Sequence, residues 1–460
     1  MLNFFKVNDP FRLIAVVIFL LGLSAVYFLL NPFSLTQSQL SWLVVGERAS
    51  QGYLPFYEII DDTAPLSVAV FAILNSIFGR DILVYEILGR ILILAQAIYW
   101  NLTLIRYRVF DETSYLPAII LVVLFHFSFD MLSLSPALLG SSFLLLALGQ
   151  LISLTVLQKE TSESTLLIGL YAGLAVGFHS VFIIFLPYLI FTGIVISGFS
   201  FRELLLSLVG FLLPLLLIGT YYFWNDGVWG LIEVWPISFM TPRVAYQSLL
   251  SWGILGSLPI LLASLGYVFC AVLRGSTINQ QKQRQLLILW LFLSAFQLFL
   301  IKDQAAFQLA VLIPTLSYLI TQFFHFAKKQ FIANTLFLIL ILGFPGASIL
   351  YWQGYLEQNP SYLVKENQNG QTESMMVLQN DLSPLRGNTL DGPFLNYEMT
   401  KIFLAKDKDY GQKARLFVLL ETQKSRRVLD PDGEFEKLLQ QFPVLAKEYR
   451  KAGNGVFELR

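Results

Sequence analysis

Long apolar runs recur along this chain, and no other feature constrains its fold as much. A helix needs roughly 20 apolar residues to cross the hydrocarbon core of a bilayer, with about 17–25 tolerated. Eleven stretches are candidate spans: 13–30, 82–105, 114–130, 132–157, 164–178, 180–198, 204–224, 252–273, 285–301, 304–324 and 331–351. The run Pro65–Phe78 is too short to cross comfortably, and the expectation is a helix in the outer interface. Composition agrees. The 460 residues are 56% hydrophobic and 13% charged, against about 25% charged in a soluble domain. The expected fold class is therefore an α-helical polytopic membrane protein. Leu13–Leu30 lacks a small-residue cleavage pattern after it and reads as a retained helix.

Several function classes fall away early. Net charge is zero, so no basic balance points to nucleic acid, and none is expected as a partner. One cysteine, Cys270, excludes an intramolecular disulfide, and three histidines give little material for a zinc site.

Lys and Arg set the orientation. With the N-terminus inside, the inner segments carry eleven: Lys6, Arg12, Arg106, Arg108, Lys159, Arg202, Arg274, Lys282, Arg284, Lys328 and Lys329. The outer segments before residue 352 carry four: Arg48, Arg80, Arg243 and Lys302. The expectation is a multi-pass protein of the inner (plasma) membrane with a cytoplasmic N-terminus. Glu47, Glu58, Asp61, Asp62, Asp81, Asp130, Asp226, Glu233 and Asp303 then collect at the outer face. Acids contribute little to topology, so their clustering points to chemistry on that side, or merely to polar loops.

Two domains are expected. Residues 1–351 form the membrane domain, with outer juxtamembrane helices in 31–81. Residues 352–460 hold 30 of the 62 charged residues and read as a small extracytoplasmic α/β domain, able to cover an outer site or bind a protein partner. Strands are expected in "SMMVLQND", "ARLFVLL" and "GVFELR", and helices in "FLNYEMTKIFLA" and "GEFEKLLQQFPVLAKEY", the last bent at Pro443.

The stretch "GERASQGYLPFYEIIDDTAPLSVAVFAILNSIFGR" concentrates acids beside the bilayer. Thr36 can cap a helix running to about Ser50, with Gly52 past its end. Leu40, Leu43 and Val44 share one side, with Trp42 expected at the lipid boundary. Pro65 suits the first position of the next helix. Carboxylates at headgroup depth can act as general bases or hold a divalent metal against phosphate. Equally, Asp61, Asp62 or Thr63 can simply solvate the turn and cap the following helix.

The residues Gly52, Pro55-Phe56-Tyr57, Asp61-Asp62, Pro65-Leu66, Phe78-Gly79 and Arg90 resemble the first outer loop of GT-C membrane glycosyltransferases. That class includes protein mannosyltransferases and lipid A aminoarabinose transferases. "FDMLSLSPALLGSSFLLLAL", with Asp130 as a second outer acid, and "KDQAAFQLAVLIPTLSYL" extend the resemblance over roughly 30–350. It implies inverting transfer from a polyprenyl-phosphate sugar at the outer face. A carboxylate, from Asp130, Asp61, Asp62 or Glu47, would activate the acceptor hydroxyl. Arg243, Lys302 or His179 would meet the phosphate leaving group, though Arg243 and Lys302 also read as interfacial anchors and His179 as a span-end cap. Tyr57 and Glu233 are further candidates on the substrate side. One departure matters: the register of the family's usual catalytic acid reads Ser38-Gln39, and glutamine takes no proton. The alternative is a non-catalytic scaffold or assembly subunit of a cell-envelope complex. A transporter, the third reading, needs polar or broken helices at mid-membrane, and these spans are nearly free of charge there, with Glu86 and Arg90 both near an outer end.

Overall fold

The computed structural model describes residues 1–30, 35–156, 161–272, 276–365, 373–406 and 408–460. Lys159 and Arg274, both used in the orientation argument, lie outside the described residues. The chain forms two compact units, 1–33 with 82–216 and 245–359, and 34–81 with 217–244 and 360–460.

Among the described residues, eight helices are long and apolar enough to cross a membrane: Arg12–Leu29, Ile82–Arg106, Pro136–Leu154, Ser180–Ser197, Phe201–Trp224, Leu249–Ala271, Ala306–Phe326 and Gln330–Leu356. They coincide with eight of the eleven expected spans. Leu116–Phe125 and Ser162–Phe178 are shorter apolar helices, and Ile278–Gln297 opens on the polar run INQQKQRQ.

In the first unit, Pro136–Leu154 and Ala306–Phe326 are the central helices, each about 72% buried, whereas Arg12–Leu29 is only 22% buried. Buried indoles are tied to partners, as their N–H requires. Trp100 Nε1 donates to Ser317 Oγ at 3.0 Å and Trp290 Nε1 to the Val311 carbonyl at 3.0 Å. Small residues let backbones approach within this unit. A Cβ on Gly169 would lie 1.9 Å from the Ser207 carbonyl oxygen, and one on Gly210 2.3 Å from that of Leu166.

The second unit carries a five-stranded sheet. We label its strands β1 (Ser374–Val377), β2 (Thr389–Leu390), β3 (Arg427–Leu429), β4 (Tyr449–Gly453) and β5 (Val456–Leu459). Their order is β2-β1-β3-β5-β4, with β1 parallel to β2 and β3, and β5 antiparallel to β3 and β4. Helices Tyr397–Ala405 and Glu434–Gln441 fall where expected, the latter followed by Pro443–Ala446. The stretch 414–420, expected as a strand, is instead inside helix Tyr410–Thr422. Asp409 caps that helix and Gln412 returns the bond, a reciprocal pair that nucleates helix. Leu416 and Leu420, four apart, then form its buried stripe.

Helix Gln37–Ser50 follows Thr36 and Gly52 lies past its end at φ +98°, as expected, and Pro65 opens helix Pro65–Phe78. These helices pack on one another so closely that a Cβ on Gly46 would lie 2.8 Å from Phe71 backbone. Trp42 is therefore not at a lipid boundary: it is buried, 6.1 Å from the Phe71 ring. The exposed apolar side chains of this pair belong to the second helix, at Ile73, Ile77 and Phe78.

Candidate functional site

The acidic loop is built by local bonds. Gln39, at the register of the absent acid, is the third residue of a capping box. Its Oε1 accepts the Thr36 N–H at 3.0 Å, and Thr36 Oγ1 accepts the Gln39 N–H at 3.2 Å. Those bonds satisfy donors that a helix start leaves open. Glu47 forms an ion pair with Arg80, whose guanidinium also donates to the carbonyls of Leu385 at 2.9 Å and Asn388 at 3.0 Å. Glu58 folds back onto the Leu54 N–H at 2.6 Å. The turn between them puts Phe56 at φ +61°, a region costly for a bulky side chain. It is held there by its N–H to the Ile59 carbonyl at 2.8 Å and by ring contacts to Tyr222 and Trp235.

Asp61 differs from these. It is 1% exposed, accepts the Thr63 N–H at 2.9 Å on Oδ2 and faces Ser41 Oγ at 3.3 Å on Oδ1. Burial, and then the neighbouring Asp62 carboxylate, push its pKa up from 3.8 to about 7. The N-cap of helix Pro65–Phe78 is Ala64, which has no side chain to cap with, and Pro65 takes the first helical position.

The loop is stitched to the sheet-bearing segment of the same unit. Ile60 N–H donates to the Pro393 carbonyl at 2.6 Å, and Val364 N–H to the Leu35 carbonyl at 2.9 Å. Gln37 Nε2 donates to Asp381 Oδ1 at 2.9 Å and its Oε1 accepts the Leu382 N–H at 2.9 Å. Arg48 stacks on Tyr53 and donates to Gln423 Oε1 at 2.7 Å. Tyr57 and Glu233 line a cavity of about 450 Å³ in this unit, together with Glu58, Lys406, Lys408 and Arg415. Arg243 is exposed on the loop after Phe239.

Asp130, Lys302 and His179 belong to the first unit. Asp130 sits in the turn Phe129–Leu132, buried, with Oδ2 accepting the Phe307 N–H at 3.3 Å. Arg90 Nη1 donates to the Leu132 carbonyl, at the end of that turn, at 3.4 Å. Glu86 is ion-paired with Arg90, whose Nε donates to Ser24 Oγ at 3.0 Å. The buried turn that holds Asp130 is thus reached by the Glu86–Arg90 pair. Ionisable residues held inside a helical membrane unit mark function by default. The Glu86–Arg90 spacing was visible in sequence as an i,i+4 pair, but its meeting with that turn was not. Lys302 is half-buried in the turn before Ala306. His179 Nε2 pairs with Gln308 Oε1 at 2.9 Å. Among the described residues, no three of His, Cys, Asp and Glu gather as metal ligands.

This fold defines a multi-pass helical membrane protein with a small sheet region toward its C-terminus. Compared with protein-family models and with curated proteins, the chain matches none.

Proposed function

We propose that this protein is a GT-C-type membrane glycosyltransferase, moving a sugar from a polyprenyl-phosphate carrier to an acceptor hydroxyl at the outer face of the inner membrane. The observation that carries this reading is Asp61. It is a buried carboxylate in the loop that bears the resemblance, bonded to Ser41, with its pKa raised to about 7. A general base works best with a pKa near the operating pH. Asp61 would take the acceptor proton as the acceptor oxygen attacks the anomeric carbon. The bond from that carbon to the phosphate oxygen then breaks, and polyprenyl phosphate leaves. Asp62 raises the basicity of Asp61. Arg243, in the same unit as Asp61, would meet the charge that develops on the phosphate. His179, already bonded to Gln308, suits that role less. The topology of this reading has eleven spans, a cytoplasmic N-terminus and an extracytoplasmic α/β domain.

A second reading, a scaffold subunit of an envelope complex that binds a protein partner through 352–460, has its own support. Gln39 is committed to a helix cap and Glu47 to Arg80. Two of the acceptor-side positions are therefore structural. The deciding experiment supplies purified protein with a polyprenyl-phosphate sugar and compares the wild type with Asp61→Asn, Asp62→Asn and Asp130→Asn. A general base contributes about 10²–10⁴-fold, so loss on that scale in Asp61→Asn supports transfer. Unchanged transfer in all three variants removes these acids from the mechanism.

A further inference from the structure

The cavity bearing Tyr57 and Glu233 has one wall that faces two ways. In helix Val228–Val234, Gly230, Glu233 and Val234 line the cavity, while Trp229 and Ile232 are exposed. Phe223, Trp224, Phe239 and Met240, on either side in sequence, are exposed as well. Exposed aromatic and long apolar side chains collected on one segment are what the interface between water and lipid selects.

Inside, the cavity joins an apolar wall, including Tyr57, Val418 and Leu419, to three cations, Lys406, Lys408 and Arg415. Lys408 is anchored on the last carbonyls of helix Tyr397–Ala405, those of Phe403 and Leu404. Arg415 lies 3.9 Å from Glu233, longer than a hydrogen bond, and its side chain is half exposed. Lys406 is exposed. The other cavity acid, Glu58, is turned onto the Leu54 N–H. An amphiphile with an anionic head matches this wall, and a free inorganic anion would leave the apolar part unused.

We propose that this cavity binds an anionic glycerophospholipid, its phosphate on Arg415 and Lys406 and its chains against the Tyr57–Val418–Leu419 wall. Arg suits phosphate through paired N–H donors, and Lys adds a point charge. A volume of about 450 Å³ lies within the range of small-ligand sites and takes the headgroup with the upper part of the chains. The inference does not rest on the transferase reading, since it concerns binding and not transfer.

The test is native mass spectrometry of the full chain in detergent, with phosphatidylglycerol and phosphatidylcholine offered at equal concentration. The wild type should retain phosphatidylglycerol about tenfold better. Lys406→Gln with Arg415→Gln should abolish that preference, Arg415→Lys should keep most of it, and Lys451→Gln, on strand β4, should leave it intact. Raising the salt should weaken it. If the double variant melts lower than the wild type, the single change at exposed Lys406 carries the test. Equal retention of the two lipids overturns the proposal, as does an unchanged preference in the variants. Full competition by millimolar inorganic phosphate would assign the site to a soluble anion and overturn the lipid occupant.

Discussion

Replacing Asp61 by Asn should stabilise the protein at neutral pH and above while removing its chemistry. Asp61 is fully buried and its pKa rises from 3.8 to about 7. At about 1.4 kcal/mol per pH unit, the folded state disfavours the ionised carboxylate by on the order of 4 kcal/mol. The amide keeps an oxygen for the Thr63 N–H and offers an N–H₂ to Ser41 Oγ, so the geometry survives. The sign follows from proton binding. Below about pH 4 both folded and unfolded chains hold the proton, and the substitution is close to neutral. Between about 4 and 7 the folded chain keeps a proton that the unfolded chain has released, so wild-type stability falls as pH rises. Above about 7 that loss is complete, and the variant has its full advantage. Part of the 4 kcal/mol belongs to repulsion from Asp62, so Asp62→Asn should recover a smaller share in the same direction. Thermal unfolding in detergent at pH 4, 6 and 8 reads this directly. A melting temperature for Asp61→Asn that lies below the wild type at pH 8, or a gap that does not widen from pH 4 to 8, refutes the argument.

Gln39→Ala should cost about 1 kcal/mol of stability, the worth of a helix cap, and leave transfer measurable; loss of transfer with unchanged melting would make Gln39 part of the chemistry. Gly46→Leu should destabilise by about 1–3 kcal/mol, because its side chain would meet Phe71 backbone where a Cβ alone comes within 2.8 Å; wild-type melting would contradict the close helix contact. A tag after Arg460 should be cut by external protease in intact spheroplasts, and protection until lysis would reverse the orientation.

Local rules made much of the fold legible. Thr36, Gly52 and Pro65 each state a helix boundary through one backbone requirement, and all three are met, whereas the part Gln39 plays in the capping box showed only in the fold. The strands at 374–377 and 456–459 fall inside the short apolar runs "SMMVLQND" and "GVFELR". "ARLFVLL" misled because a short apolar run has no clear period; the capping signal at Asp409 and Gln412 was the better guide. Trp42 is buried and not at lipid because helix Gln37–Ser50 packs on helix Pro65–Phe78, whose Phe71 lies 6.1 Å from its ring, a contact that no local pattern states. Long-range pairings left no signal in a single sequence. Nothing local announces that Gln37 meets Asp381, that Arg80 reaches Leu385, or that Arg415 stands across a cavity from Tyr57. The candidate acids were visible as residues, but burial separates Asp61 from ion-paired Glu47, and burial is a property of packing.

The pH dependence of transfer tests the central claim most directly. If Asp61 is the base, kcat/KM for a polyprenyl-phosphate sugar should rise through about pH 7 as that carboxylate loses its proton. Asp61→Asn should show a residual rate at least about a hundredfold lower and without that rise. A wild-type rate with the same ascending limb in Asp61→Asn would contradict the assignment.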